Sequence, residues 1–156
     1  GNKINNLIDS NSLIENYEVK KKYPSTIYVK IEKTNFYAKI NINGETFLIG
    51  SNGKLSPNDF QYNDLPFIFG NPDIKKFLNF KNIIEQSKLS YDQIENLYFF
   101  PSKRWDLKLK SNILLKLPKN LTTEYLNELY EFNEQHNIKK FTIVDARLKN
   151  QIILNE

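Results

Sequence analysis

Apolar and charged residues alternate most regularly between Arg104 and Pro118. Trp105, Leu107 and Leu109 alternate with Asp106, Lys108 and Lys110. A period of two gives a strand one apolar face and one charged face. Ser111-Asn112 is a short polar break that can reverse the chain. Ile113, Leu115 and Leu117 alternate on the return, until Pro118, which cannot donate to a ladder, closes the strand. The stretch predicts a β-hairpin with the single tryptophan, Trp105, at the head of its apolar row.

The rest of the chain follows from the same pattern. Ile4, Leu7 and Ile8 have helical spacing, which predicts a short helix over 3–9. Strands are predicted over 14–22 and 27–31, joined by a turn at Tyr23-Pro24-Ser25. Strands over 36–42, 46–49 and from Lys54 are joined by Asn43-Gly44 and Asn52-Gly53. Both pairs read as type I′ turns, and the result is an antiparallel meander. Residues 56–64 read as a loop, and Leu65–Phe69 as a brief apolar run ending at Gly70. Asn71-Pro72-Asp73 predicts a helix start, with Asn71 as N-cap and Pro72 at the first helical position. Its apolar stripe, Ile74, Phe77, Leu78 and Ile84, continues to about 87. A turn or brief helix near 90–94 leads into a strand over 95–100. Thr122–His136 reads as a helix burying Tyr125, Leu126, Leu129 and Phe132. A strand from Phe141 to Arg147, a bend at Leu148-Lys149-Asn150 and a short last strand, Gln151–Leu154, complete the chain. The sum is an α+β fold with a mostly antiparallel sheet and helices near 72–87 and 122–136.

Composition narrows the function. The 156 residues suffice for one ordinary domain or two small ones. There is no cysteine, so disulfides and thiolate metal sites are excluded. No apolar run approaches the roughly 20 residues of a membrane helix. The net charge of +4 allows an anionic partner, but the lysines are spread along the chain and only Arg104 and Arg147 are arginines. A nucleic-acid binder concentrates its charge and favours arginine. No nucleophile–base constellation, phosphate loop or metal-ligand spacing is present in the sequence. The one histidine, His136, ends a predicted helix, where a cation complements the dipole. Glu124, Glu128 and Glu131 have the spacing of a solvated helix face. Asp145 and Arg147 lie two apart on a strand, which predicts either a cross-strand ion pair at a sheet edge or a polar rim beside a docking edge. No cofactor, metal site or catalytic group is expected.

Several stretches, in order, resemble the FtsQ/DivIB family of bacterial cell-division proteins. Tyr17 to Glu32 is similar to the family's V-x-R-x-W-P-x-x-L-x-I-x-V-x-E segment, with Tyr23 in place of its tryptophan. Leu65-Pro66 with Gly70 resembles its L-P-x-(x)-x-G. Arg104-Trp105-Asp106-Leu107 and the return to Pro118 resemble its R-W-D-L hairpin, and Asp145-Ala146-Arg147 its D-L-R. A tyrosine often follows D-L-R; here it is Leu148.

The resemblance implies a partial POTRA-like helix–strand–strand over 1–34 and an FtsQ-type β domain over 35–156. It implies a non-catalytic divisome scaffold: a single-pass bacterial inner-membrane protein, anchored upstream of this chain, with this part extracytoplasmic (periplasmic). The implied partners are FtsB (DivIC) and FtsL-like proteins, with no nucleic acid. Binding would occur by addition of a partner strand to the last strand, which fits a short terminal strand with unpaired backbone groups. The partner-binding residues expected on this basis are Arg104, Arg147, Leu148, Gln151, Ile152, Ile153 and Leu154. Plain core packing is the competing expectation for Ile152 and Leu154. The alternative function is a basic nucleic-acid-binding module that interleaves lysines with Tyr and Phe.

Overall fold

A computed structural model describes residues 13–22, 26–58, 64–136 and 142–156. The predicted helix over 3–9 and the turn at 23–25 lie outside these residues. The chain divides into two compact units, residues 1–61 and 62–156.

In the first unit, β1 (Ile14–Lys22) and β2 (Thr26–Lys33) form an antiparallel ribbon, with Val19 opposite Val29 and Tyr17 opposite Ile31. β3 (Phe36–Ile42), β4 (Glu45–Gly50) and β5 (Leu55–Pro57) form the predicted meander. Asn43 and Gly44 both have positive φ, 51° and 86°, as a type I′ turn requires. The second Asn-Gly pair behaves differently. Gly50 N–H donates to Lys54 O and Gly53 N–H to Gly50 O, and only Gly53 has positive φ. This is a three-residue hairpin loop closed by a left-handed residue, not a type I′ turn. The Glu15 carboxylate accepts hydrogen bonds from the hydroxyls of Thr34 and Ser51, tying the ribbon to the meander within this unit.

In the second unit the strand order is β11-β10-β9-β8-β7-β6. The strands are β6 (Phe67–Phe69), β7 (Ile94–Phe99), β8 (Trp105–Leu109), β9 (Leu114–Lys116), β10 (Ile143–Leu148) and β11 (Gln151–Asn155). Neighbours are antiparallel except β6 with β7 and β9 with β10, which are parallel. The cross-strand register turns the alternation into rows. Ile68, Leu97, Leu107, Leu115, Val144 and Leu154 line up on one face. Phe69, Tyr98, Asp106, Lys116, Asp145 and Ile153 line up on the other. Helices α1 (Ile74–Glu85) and α2 (Thr123–His136) cover the apolar face. Trp105 stacks on Phe80 of α1 at 4.6 Å and lies 4.8 Å from the Phe99 ring, as expected of a core anchor.

Three local expectations are corrected. Helix α1 starts at Asp73, whose carbonyl accepts the Phe77 N–H, so Asn71 is not the N-cap. Pro72 is instead buried ahead of the helix, where packing fixes it. The Leu65–Phe69 run contains a strand, because Phe67–Phe69 pairs with β7. Asp106 is predicted to face solvent but is only 4% exposed. Arg104 lies over it and donates from Nε to Oδ1 at 3.2 Å, so the pair shields its own acid. Gly70 has φ +103°, and a Cβ there would stand 2.2 Å from the Phe99 carbonyl oxygen, so the motif's glycine is required by close backbone approach.

Candidate functional site

The end of the second unit holds most of the residues singled out from the sequence. β11 pairs with β10 on one side and, among the described residues, with nothing on the other. Its backbone donors and acceptors on that side point outward, the condition for strand addition. Alternation sorts its side chains. Ile152 and Leu154 are half-buried toward the helices, while Gln151 and Ile153 are exposed on the opposite face.

β10 is irregular beside it. Asp145 pairs with Ile153 and Leu148 with Gln151, so Ala146 and Arg147 together face Ile152. That is a β-bulge, which bends the strand and re-aims side chains. The buried Tyr125 of α2 braces it: its hydroxyl donates to Ala146 O at 2.8 Å, with Leu148 O at 3.4 Å. Burial, aided by the carboxylates of Glu128 and Asp145, pushes the Tyr125 phenol above its ordinary value, so the hydroxyl stays a donor.

The bulge leaves Arg147 beside Asp145 on the face away from the helices. Arg147 Nη2 donates to Asp145 Oδ2 at 2.6 Å and Nε to Oδ1 at 2.8 Å, a two-pronged pair. The pair lies within one strand, which corrects the cross-strand expectation. The hydrogen bonds from Arg147 hold the Asp145 carboxyl below the ordinary carboxylate range, against partial burial, which acts the other way. A folded-state value below the unfolded one gives stability that is full above the unfolded value and lost as pH falls through the folded one. Asp145→Asn is therefore expected to lower stability above about pH 4, by an amount that shrinks steadily as pH falls below that value, measured by thermal melts across the acid range.

Two grooves flank the edge. One, about 430 Å3, lies between α2 and β11 and is lined by Tyr125, Glu128, Leu129, Phe132, Asn150 and Ile152. The other, about 270 Å3, lies on the opposite face between Asp145, Arg147, Leu148, Gln151 and Ile153. Leu148, at 61% exposed, and Ile153, at 42%, are large apolar side chains left in solvent. Thus Arg147, Leu148, Gln151, Ile152 and Ile153 converge at one edge, with Leu154 further along the same strand. Arg104 stands apart, three strands in at the head of β8, bonded to Asp106 and over the Phe100 ring at 4.6 Å.

Sequence reasoning missed Tyr125, Glu128, Leu129 and Phe132 as groove residues. The spacing of Tyr125, Leu129 and Phe132 signalled a buried face and that of Glu128 a solvated one, but neither signalled that they line a groove with the last strand. His136 is exposed, stacks on Phe132 at 4.3 Å and places Nδ1 3.2 Å from Phe132 O. Among the described residues no cluster of three or more His, Cys, Asp and Glu could hold a metal ion, and no helix is long and apolar enough to cross a membrane.

A model of the family described as "Cell division protein FtsQ/DivIB, C-terminal" matches residues 31–147. Proteins named "Cell division protein FtsQ" are similar over almost the whole chain. The one from Rickettsia bellii is 27% identical over 157 residues, covering 98% of this chain and 58% of its own length. Those from Rickettsia felis and Rickettsia conorii are each 27% identical over 161 residues, with the same coverage. The chain spans little more than half the length of these relatives.

Proposed function

This chain belongs to the FtsQ/DivIB family of cell-division proteins, and we propose from that premise that it is a non-catalytic divisome scaffold which takes a partner strand onto the outer side of β11. The observation that carries the proposal is the unpaired side of β11, set between two grooves. Side chains of an added strand alternate between its faces. One set enters the groove of Tyr125, Phe132 and Ile152, and the other meets Arg147, Leu148 and Ile153. Backbone hydrogen bonds along Gln151–Asn155 supply affinity, and the grooves supply selectivity. Leu154 holds β11 in register opposite Val144. Arg104 contributes a charge on the same sheet face as Arg147. The partners are FtsB (DivIC) and FtsL-like proteins.

In the same reading, residues 1–34 are part of a POTRA-like domain and 35–156 an FtsQ-type β domain. Exposure of Val19, Ile27, Val29 and Ile31, at 37–49%, supports this, because a two-stranded ribbon is not stable with such a face uncovered. The family match supports an extracytoplasmic location, tethered to the inner membrane by an anchor preceding this chain.

The test is calorimetric titration with an FtsB-type segment. Arg147→Ala and Ile153→Ala are each expected to weaken binding about tenfold; Ile153→Ala, at an exposed side chain, is expected to leave the melting temperature nearly unchanged, whereas Arg147→Ala also lowers it by leaving the Asp145 carboxylate without its partner. Unchanged affinity in both variants would refute the proposed surface.

A further inference from the structure

A third groove, of about 160 Å3, lies at the junction of α1, the β7–β8 turn and the segment after β9. Its apolar lining includes Phe80, Phe99 and Trp105, and three cations border it: Lys76 from α1, Lys103 from the turn and Lys119 from the segment leading to α2. No carboxylate among the described residues lines it. It shares no residue with either groove beside β11.

Lys103 sits in a backbone conformation that lysine seldom takes. The same three-residue hairpin loop occurs at 50–54, 100–104 and 109–113, each with the first residue's N–H bonded to the fifth residue's carbonyl and the fourth residue's N–H to the first's. The fourth position has positive φ in all three, and it is Gly53, Lys103 and Asn112 in turn. Glycine and asparagine are the residues that take this conformation readily; lysine has neither glycine's freedom nor asparagine's local hydrogen bonding. The turn thus holds a strained lysine at the rim of an aromatic groove, the kind of strain that marks functional positions.

We propose that this groove docks an acidic segment of a protein partner, which seats one large apolar side chain on the half-buried Ile83, Phe99 and Leu121, beside the edges of the buried Phe80 and Trp105, and sets flanking carboxylates against Lys76, Lys103 and Lys119. Three like charges without a lining acid define the complementary partner as anionic. The groove's volume suits a single side chain. Lysine meets a carboxylate from any direction, whereas the forked guanidinium that phosphate and base recognition favour is absent from the lining.

Trp105, the sole tryptophan, lines the groove and reports its occupancy. The probe is the peptide acetyl-Glu-Glu-Phe-Glu-Glu-amide, titrated into the full chain while Trp105 fluorescence is followed. A saturable change is expected, absent with the glutamine counterpart of the peptide and suppressed by salt. The K76Q/K103Q/K119Q variant is expected to bind about tenfold more weakly. Lys103→Gly separates charge from folding: it relieves the turn, so its melting temperature equals or exceeds the wild type's while its affinity falls. Equal affinity of the triple variant and wild type would overturn the proposal. So would a response to phosphatidylglycerol vesicles or oligothymidylate with none to the peptide.

Discussion

Trp105→Ala is expected to destabilise the protein by about 3–5 kcal/mol, the range for removing a buried large aromatic. Trp105 is 7% exposed and heads the apolar row of β8. It stacks almost parallel on Phe80, at 6°, and meets Phe99 and Phe77 at tilted angles. Alanine would therefore leave a cavity bounded by three rings on two elements, and these rings cannot close onto each other without moving α1 off the sheet. Trp105→Phe keeps one ring in the stack and is expected to cost distinctly less. Circular dichroism melts check both, with a fall of roughly 10 °C expected for the alanine variant. Coincident melts of wild type and Trp105→Ala would show that the hairpin does not anchor the fold.

Ending the chain at Lys149 is expected to abolish binding of an FtsB-type segment, a loss of at least about a hundredfold, while leaving a cooperative fold. The deletion removes β11, and with it Ile152 and Ile153 from the two grooves. β10 would then present the new edge, but its bulge at Ala146-Arg147 interrupts the regular ladder a guest strand needs. Losing the half-buried Ile152 and Leu154 is expected to cost about 2–3 kcal/mol. The β8–β9 hairpin and the Trp105 stack do not depend on β11. Undiminished affinity in the shortened, folded chain would remove β11 from the binding account.

The sequence made the hairpin legible because Trp105 to Leu117 carries its signal locally: two alternating rows and a polar break. It was equally clear for the second helix, although of the four residues expected on its buried side Tyr125, Leu126 and Leu129 are buried and Phe132 is only half-buried, facing the groove. The parallel pairing of Leu114–Lys116 with Ile143–Asp145 was not legible. Alternation assigns a face, not a neighbour, and α2 separates these strands in the chain. The burial of Asp106 was hidden for a related reason: alternation puts it on the charged face, and does not say that Arg104, two residues before it, folds over it. At the candidate edge, the terminal strand followed from position and pattern, but the exposure of Ile153 did not, because the pattern does not say which face of that strand the helices cover. The bulge and its Tyr125 brace did not, because one inserted residue leaves no mark in a short apolar run.

The central claim is that β11 gains a second hydrogen-bonded neighbour when a partner binds. Residue-resolved amide hydrogen exchange, on the chain alone and with a saturating FtsB-type segment, tests it directly. The account predicts that alternate amides within Gln151–Asn155, those directed away from β10, become strongly protected in the complex. Tight binding with exchange along β11 unchanged would contradict it.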